Sequence, residues 1–138
     1  MTAPTVVFGT NILISAVLSL AGKPFQCTAL AKRGLVKSVT CQEILNEFQE
    51  KLTVKFEYEP QRAQAFVQEV LDYSELVTLT NTLRVVDADP DDDMVLECAV
   101  VGDASYIITG DRHLLTLVSY HGISILKAAD FLALLFQG

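Results

Sequence analysis

The chemistry this chain could carry is densest in DADPDDDMVLECAVV, Asp87 to Val101, where five carboxylates fall within seven residues and an almost wholly apolar run follows. Like charges that close repel, and a fold tolerates them beside water, a helix N-terminus or a cation. One reading is a helix cap with a solvated acidic loop; the other is a cation site. On a helix starting at Pro90, at about 100° per residue, Asp92 projects near the middle of the face made by Val95, Leu96 and Ala99. Asp93 lies at the edge of that face, beside Leu96 and Val100, and Asp91 points away. First-turn acids bond free backbone donors, which accounts for one or two of the five.

Two further carboxylates are candidates. Glu47 lies just beyond the apolar stripe of a helix, where a solvated charge pairing with Lys51 is the plain alternative. Asp111 follows Thr109-Gly110 and either caps a short helix or faces a site. Mg²⁺ and Mn²⁺ prefer carboxylate and water oxygens, and such a metal polarises a phosphodiester and supplies hydroxide at neutral pH. Other chemistries lack their residues. His113 and His121 have no clear nucleophile partner, and there is neither a P-loop nor a GxGxxG. Cys27, Cys41 and Cys98 are odd in number and widely spaced, a pattern of reduced thiols in a cytoplasmic protein rather than of a zinc site or disulfide framework.

The elements that must position these residues alternate. Thr5-Val6-Val7-Phe8 predicts a buried strand broken by Gly9-Thr10-Asn11, followed by helices over Ile12–Leu20 and Pro24–Lys32, the second stopping at Gly34. Leu35–Val39 predicts a second strand. Ile44, Leu45, Phe48 and Leu52 mark one face of a helix over Cys41–Phe56, and Pro60 opens another to Tyr73 with Ala63, Phe66, Val67 and Val70 inward. Leu76–Leu79 and Arg84–Val86 read as short extended pieces. Asp89 is the expected N-cap, with Pro90 at the first position of a helix ending near Gly102-Asp103. Ser105–Thr109 and Ile123–Leu126 predict strands, Asp111–Leu117 and Ala128–Phe136 helices. Strands alternating with helices imply a three-layer α/β/α domain around a central parallel sheet, where ligands bind beyond the carboxyl ends of the strands. Gly9-Thr10-Asn11, Gly110-Asp111 and the acidic helix start all belong to that edge.

At 138 residues, residues 1–138 are expected to form a single domain, and 51% apolar against 20% charged residues excludes intrinsic disorder. A net charge of −7 argues against broad electrostatic capture of nucleic acid, leaving local basic groups such as Lys32, Arg33 and Lys37. Residues Met1 to Gly22 carry no charged side chain, but they lack the basic start of a signal peptide and are interrupted by Gly9-Thr10-Asn11, so no membrane segment is expected.

In order and spacing, VVFGTNILISA, TCQEILNEFQEKL, DPDDDMVLECA and YIITGDRHLL resemble PIN domains, and nearest among them the VapC-type toxin ribonucleases of bacterial toxin–antitoxin pairs. The resemblance covers nearly the whole chain. It implies a Rossmann-like fold, a Mg²⁺- or Mn²⁺-dependent endoribonuclease acting on single-stranded RNA, a cognate antitoxin, and a homodimer. Carried over by position, the family's helix glutamate falls on Glu47, its central aspartate on Asp93 with Asp92 nearby, and its strand-exit aspartate on Asp111. Its small polar residue closing that strand is Thr109, its turn asparagine Asn11, and the place of a further acid in many relatives holds His113. One departure is large: the family opens its first motif with aspartate, a metal ligand, and this chain has Gly9. Glu47, Asp93 and Asp111 would remain, enough for weak metal binding. The leading expectation is therefore a toxin-type ribonuclease fold impaired at Gly9. The alternative is an inactive module that binds antitoxin or RNA. A receiver-like signalling domain would want an acid ending a middle strand, and Leu79-Thr80-Asn81 supplies none. The segment Phe131–Phe136, apolar on nearly every side, is expected to be buried by core or partner contacts.

Overall fold

In a computed structural model describing residues 3–85 and 90–136, the β-branched run Thr5–Phe8 is strand β1, buried from Val6 to Phe8. Gly9 breaks it in an extended conformation and starts helix α1, Thr10–Leu18. Helix α2, Lys23–Lys32, leads to β2, Lys37–Cys41, two residues later than expected. The amphipathic helix splits: α3 covers Gln42–Glu50, with Ile44, Leu45 and Phe48 buried, and a π-helical turn continues over Lys51–Lys55. Helix α4 spans Pro60–Tyr73 and runs straight into β3, Ser74–Val77, which starts two residues before the expected strand. Arg84 and Val85 are not strand; Val86, Asp87 and the expected cap Asp89 lie outside the described residues. Helix α5 spans Pro90–Val101, β4 Tyr106–Ile108 and α6 Arg112–Leu117. A two-residue strand β5, Ser119–Tyr120, precedes β6, Ile123–Leu126, and α7, Ala128–Phe136.

The sheet has the order β3-β2-β1-β4-β6-β5, with every pairing parallel except β5 against β6. Val7 sits opposite Val39 on one side and Ile107 on the other. Buried on both faces, these strands read as continuous apolar runs, as parallel strands do. The strand order reverses between β1 and β4, so the crevice where ligands bind in such sheets opens at Gly9, whose N–H donates to the Ile108 carbonyl at 2.9 Å. Helix α5 immediately precedes β4 and packs on β1, β2 and β4, and its acidic first turn is brought to the same edge. Close packing at its other end requires glycine: a Cβ on Gly102 would collide with the Val39 side chain and press on the Cys98 carbonyl.

The structure bears on three further expectations. The basic group is divided, Lys32 pairing with Glu69 and Lys37 with Glu75. In α7, Phe131 and Leu132 are buried, whereas Leu134 and Phe136 are exposed, so the protomer core covers only part of that apolar segment. The three cysteines are free and buried, and among the described residues no single helix is long and apolar enough to cross a membrane.

Candidate active site

Four polypeptide segments deliver side chains to the crevice. The exit of β1 supplies Gly9, Thr10 and Asn11; α3 supplies Glu47, with Lys51 just beyond it; α5 supplies Asp91 and Asp92; the exit of β4 supplies Thr109 and Asp111. With Val95 and Leu114 they line a small polar pocket of about 60 Å³. Of the residues singled out in the sequence, Glu47, Asp92, Asp111, Asn11 and Thr109 line this one pocket.

Asp93 is not among the lining residues. It is buried, and its Oδ1 accepts the Val85 N–H at 2.7 Å, tying α5 to the segment that enters it. Asp92, at the middle of the helical face, takes the place in the pocket expected of its neighbour. Asp91 also differs from the expectation of a merely solvated acid: it is exposed, yet it lines the pocket and hydrogen-bonds the Glu47 carboxyl. That contact has a consequence for charge. Burial first, then the hydrogen bond to Asp91, raises the Glu47 pKa above the ordinary carboxylate value, while the Thr10 hydroxyl and the Lys51 ammonium act in the opposite direction.

Asp111 does two things. Its Oδ1 accepts the N–H groups of His113 and Leu114 at 2.8 and 3.2 Å, capping α6, while the residue lines the pocket. The backbone N–H of Asp111 donates to Thr109 Oγ1 at 3.0 Å, so the buried threonine shapes the turn that presents it. His113 is exposed.

A match to the PIN domain family model spans residues 5–113, from the first strand through the turn that presents Asp111. The chain belongs to the PIN domain family. Among solved structures, it is similar to the crystal structure of VapBC2 from Rickettsia felis bound to a DNA fragment from their promoter, with a TM-score of 0.60 and 14% identity over 88% of this chain and 96% of that one. At that identity the likeness shows a shared PIN fold. No curated protein matches.

PIN domains are generally dependent on divalent metal. Here the oxygen donors are of the right kind, but among the described residues no three His, Cys, Asp or Glu side chains are gathered closely enough to hold a metal ion. As it stands, the donor set does not fit a tightly held Mg²⁺ or Mn²⁺. Gly9, at φ −64° and ψ 159°, stands in ordinary extended backbone, so glycine is not required there by conformation. A Cβ at this position would lie 3.3 Å from Thr109 Oγ1, a close contact that a small shift of the hydroxyl relieves. A β-carbon at position 9 therefore fits once the Thr109 hydroxyl yields by a few tenths of an ångström.

Proposed function

We propose that this PIN domain is a toxin-type, metal-dependent endoribonuclease for single-stranded RNA whose metal site is weakened by glycine at position 9. Glu47, Asp92 and Asp111 are its acids, Asp91 and Asp93 their neighbours on α5. The observation that carries the reading is the meeting of Glu47, Asp92 and Asp111 beside Gly9 at the reversal of strand order, in a chain of this family. Thr109 holds the turn that presents Asp111, Asn11 accepts the Lys51 ammonium, and Lys51 is a cationic side chain lining the site. A cognate antitoxin is the expected partner, by analogy with the VapBC2 assembly. A homodimer with the exposed Leu134 and Phe136 in its interface, and a cytoplasmic location, complete the proposal.

Although these acids line one pocket, among the described residues no three donors lie close enough to hold a metal ion, which favours a second reading, a PIN module that binds antitoxin or RNA without cutting it. RNA cleavage across a Mn²⁺ titration separates the two, comparing the chain carrying Gly9 with Gly9→Asp. The nuclease reading expects slow or no cleavage by the first and metal-dependent cleavage by the second. Equal activity of both would remove position 9 from the site. Inactivity of both, in folded protein on varied single-stranded RNA, would favour the binding module.

A further inference from the structure

Among the described residues, Lys51 is the one cationic side chain lining an acidic pocket, and its i, i+4 partner Glu47 is not its nearest contact. An i, i+4 partner on α3 would be Glu47, yet the Lys51 Nζ lies 3.9 Å from Glu47 Oε1, the outer limit of an ion pair. Its nearer contact is Asn11 Oδ1 at 3.2 Å, forty residues earlier and two residues after Gly9. The ammonium thus leans across from the turn after α3 to the first turn of α1, beside the pocket that Glu47, Asp91, Asp92 and Asp111 line. Backbone geometry changes register at this residue: α3 ends at Glu50, and the Phe56 N–H bonds the Lys51 carbonyl five residues back. Single π turns of this kind occur frequently at functional sites.

We propose that the Lys51 ammonium is the resident cation of the pocket, partly neutralising its acids where a divalent metal would otherwise do so, and thereby lowering the site's affinity for Mg²⁺ or Mn²⁺. The inference rests on the PIN nuclease reading of the same site but concerns metal binding alone. An ammonium at the pocket rim repels a divalent ion entering beside it and competes with it for the Glu47 and Asn11 oxygens. Position 9 then has a counterpart: the pocket lacks one acid and carries one base, and both changes act against a metal.

The test is Mn²⁺ binding to the full chain, measured by electron paramagnetic resonance without RNA. The unsubstituted Lys51 chain, Lys51→Met and Lys51→Arg are compared, each with Gly9 and with Gly9→Asp, and circular dichroism verifies folding. Methionine keeps the stem and removes the charge; arginine keeps the charge. Lys51→Met should bind Mn²⁺ about tenfold more tightly or better in either background, with Lys51→Arg close to the unsubstituted protein. A Lys51→Met affinity within about twofold of the parent in both backgrounds, undetectable binding included, would overturn the proposal. If Mn²⁺ affinity rises and the double variant still cleaves no RNA, the nuclease reading fails while the assignment of Lys51 stands. If Gly9→Asp cleaves RNA and binds Mn²⁺ equally well with lysine or methionine at position 51, the reverse holds.

Discussion

Replacing Glu97 with glutamine probes how α5 holds the segment that leads into the acidic run. The Glu97 carboxylate, 6% exposed, accepts four backbone N–H bonds: from Thr80 at 2.7 Å, Asn81 at 2.9 Å, and Thr82 and Leu83 at 3.1 Å each. A hydrogen bond to a charged group nets about 1.5–3 kcal/mol, but four that share one carboxylate do not add, because its desolvation offsets part of the gain. Glutamine keeps one acceptor oxygen and turns an NH₂ toward donors, losing about two of the bonds. Thr80 to Thr82 are exposed and regain water, which keeps the loss to about 2–4 kcal/mol. For a domain of this size a kcal/mol moves Tm by about 3–4 °C, so thermal unfolding followed by circular dichroism should show a fall of roughly 6–16 °C at pH 7. Acid supplies an independent check. Burial pushes the Glu97 pKa up, but the N–H groups of Asn81, Leu83, Thr80 and Thr82 outweigh it and hold the carboxyl below its ordinary value. A group depressed in the folded state contributes its full stability above the unfolded pKa, about 4.3, and loses it as pH falls through the folded value. The Tm gap between the two proteins should therefore be widest near neutrality and close in acid. Trypsin should cut the variant faster after the exposed Arg84. A neutral-pH gap under about 2 °C, or one that widens in acid, would refute the four-donor account.

Two stability predictions concern the edges of the site. Asp111→Ala removes the α6 cap and should cost about 1 kcal/mol in urea unfolding, with Asp111→Asn retaining most of the difference. Gly102→Ala places a methyl group against Val39 and should cost about 1–3 kcal/mol by the same measurement, a loss that Val39→Ala in the same chain should relieve in part.

The periodicity of apolar residues gave the elements their identity because tertiary packing agrees with local preference along most of this chain. Pro60–Tyr73 and Ile123–Leu126 have the expected bounds and α7 the expected start at Ala128, since proline or a clean change of period marks these positions. The strand expected over Leu76–Leu79 moved to Ser74–Val77 because Ser74 pairs with Ser38 along β2, their hydroxyls 2.7 Å apart, a long-range register that local composition does not encode. Ser119–Tyr120 is too short to carry a period, and its antiparallel pairing with β6 depends on the turn between them.

The site was legible to the level of segments and ambiguous among adjacent acids. Spacing on α5 ranked Asp92 at the middle of the inward face, while family register pointed to Asp93, and three consecutive aspartates gave neither reading an internal check. What separates them is a partner eight residues back: the Val85 N–H engages Asp93 and leaves Asp92 as the buried acid that lines the pocket. Glu97 is the same kind of residue, an acid in an apolar run whose function as an anchor for residues 80–83 was visible only once the connection from β3 folded back over α5. Lys51 extends the point. From spacing it is an ordinary i, i+4 partner of Glu47, and that pair does exist, loosely. Its contact with Asn11 follows from the strand order, because α1 and α3 meet where β1 lies beside β2. A charge that local spacing assigns to solvent thus becomes, through topology, part of the electrostatics of the crevice, and the chemistry open to the acids depends on it.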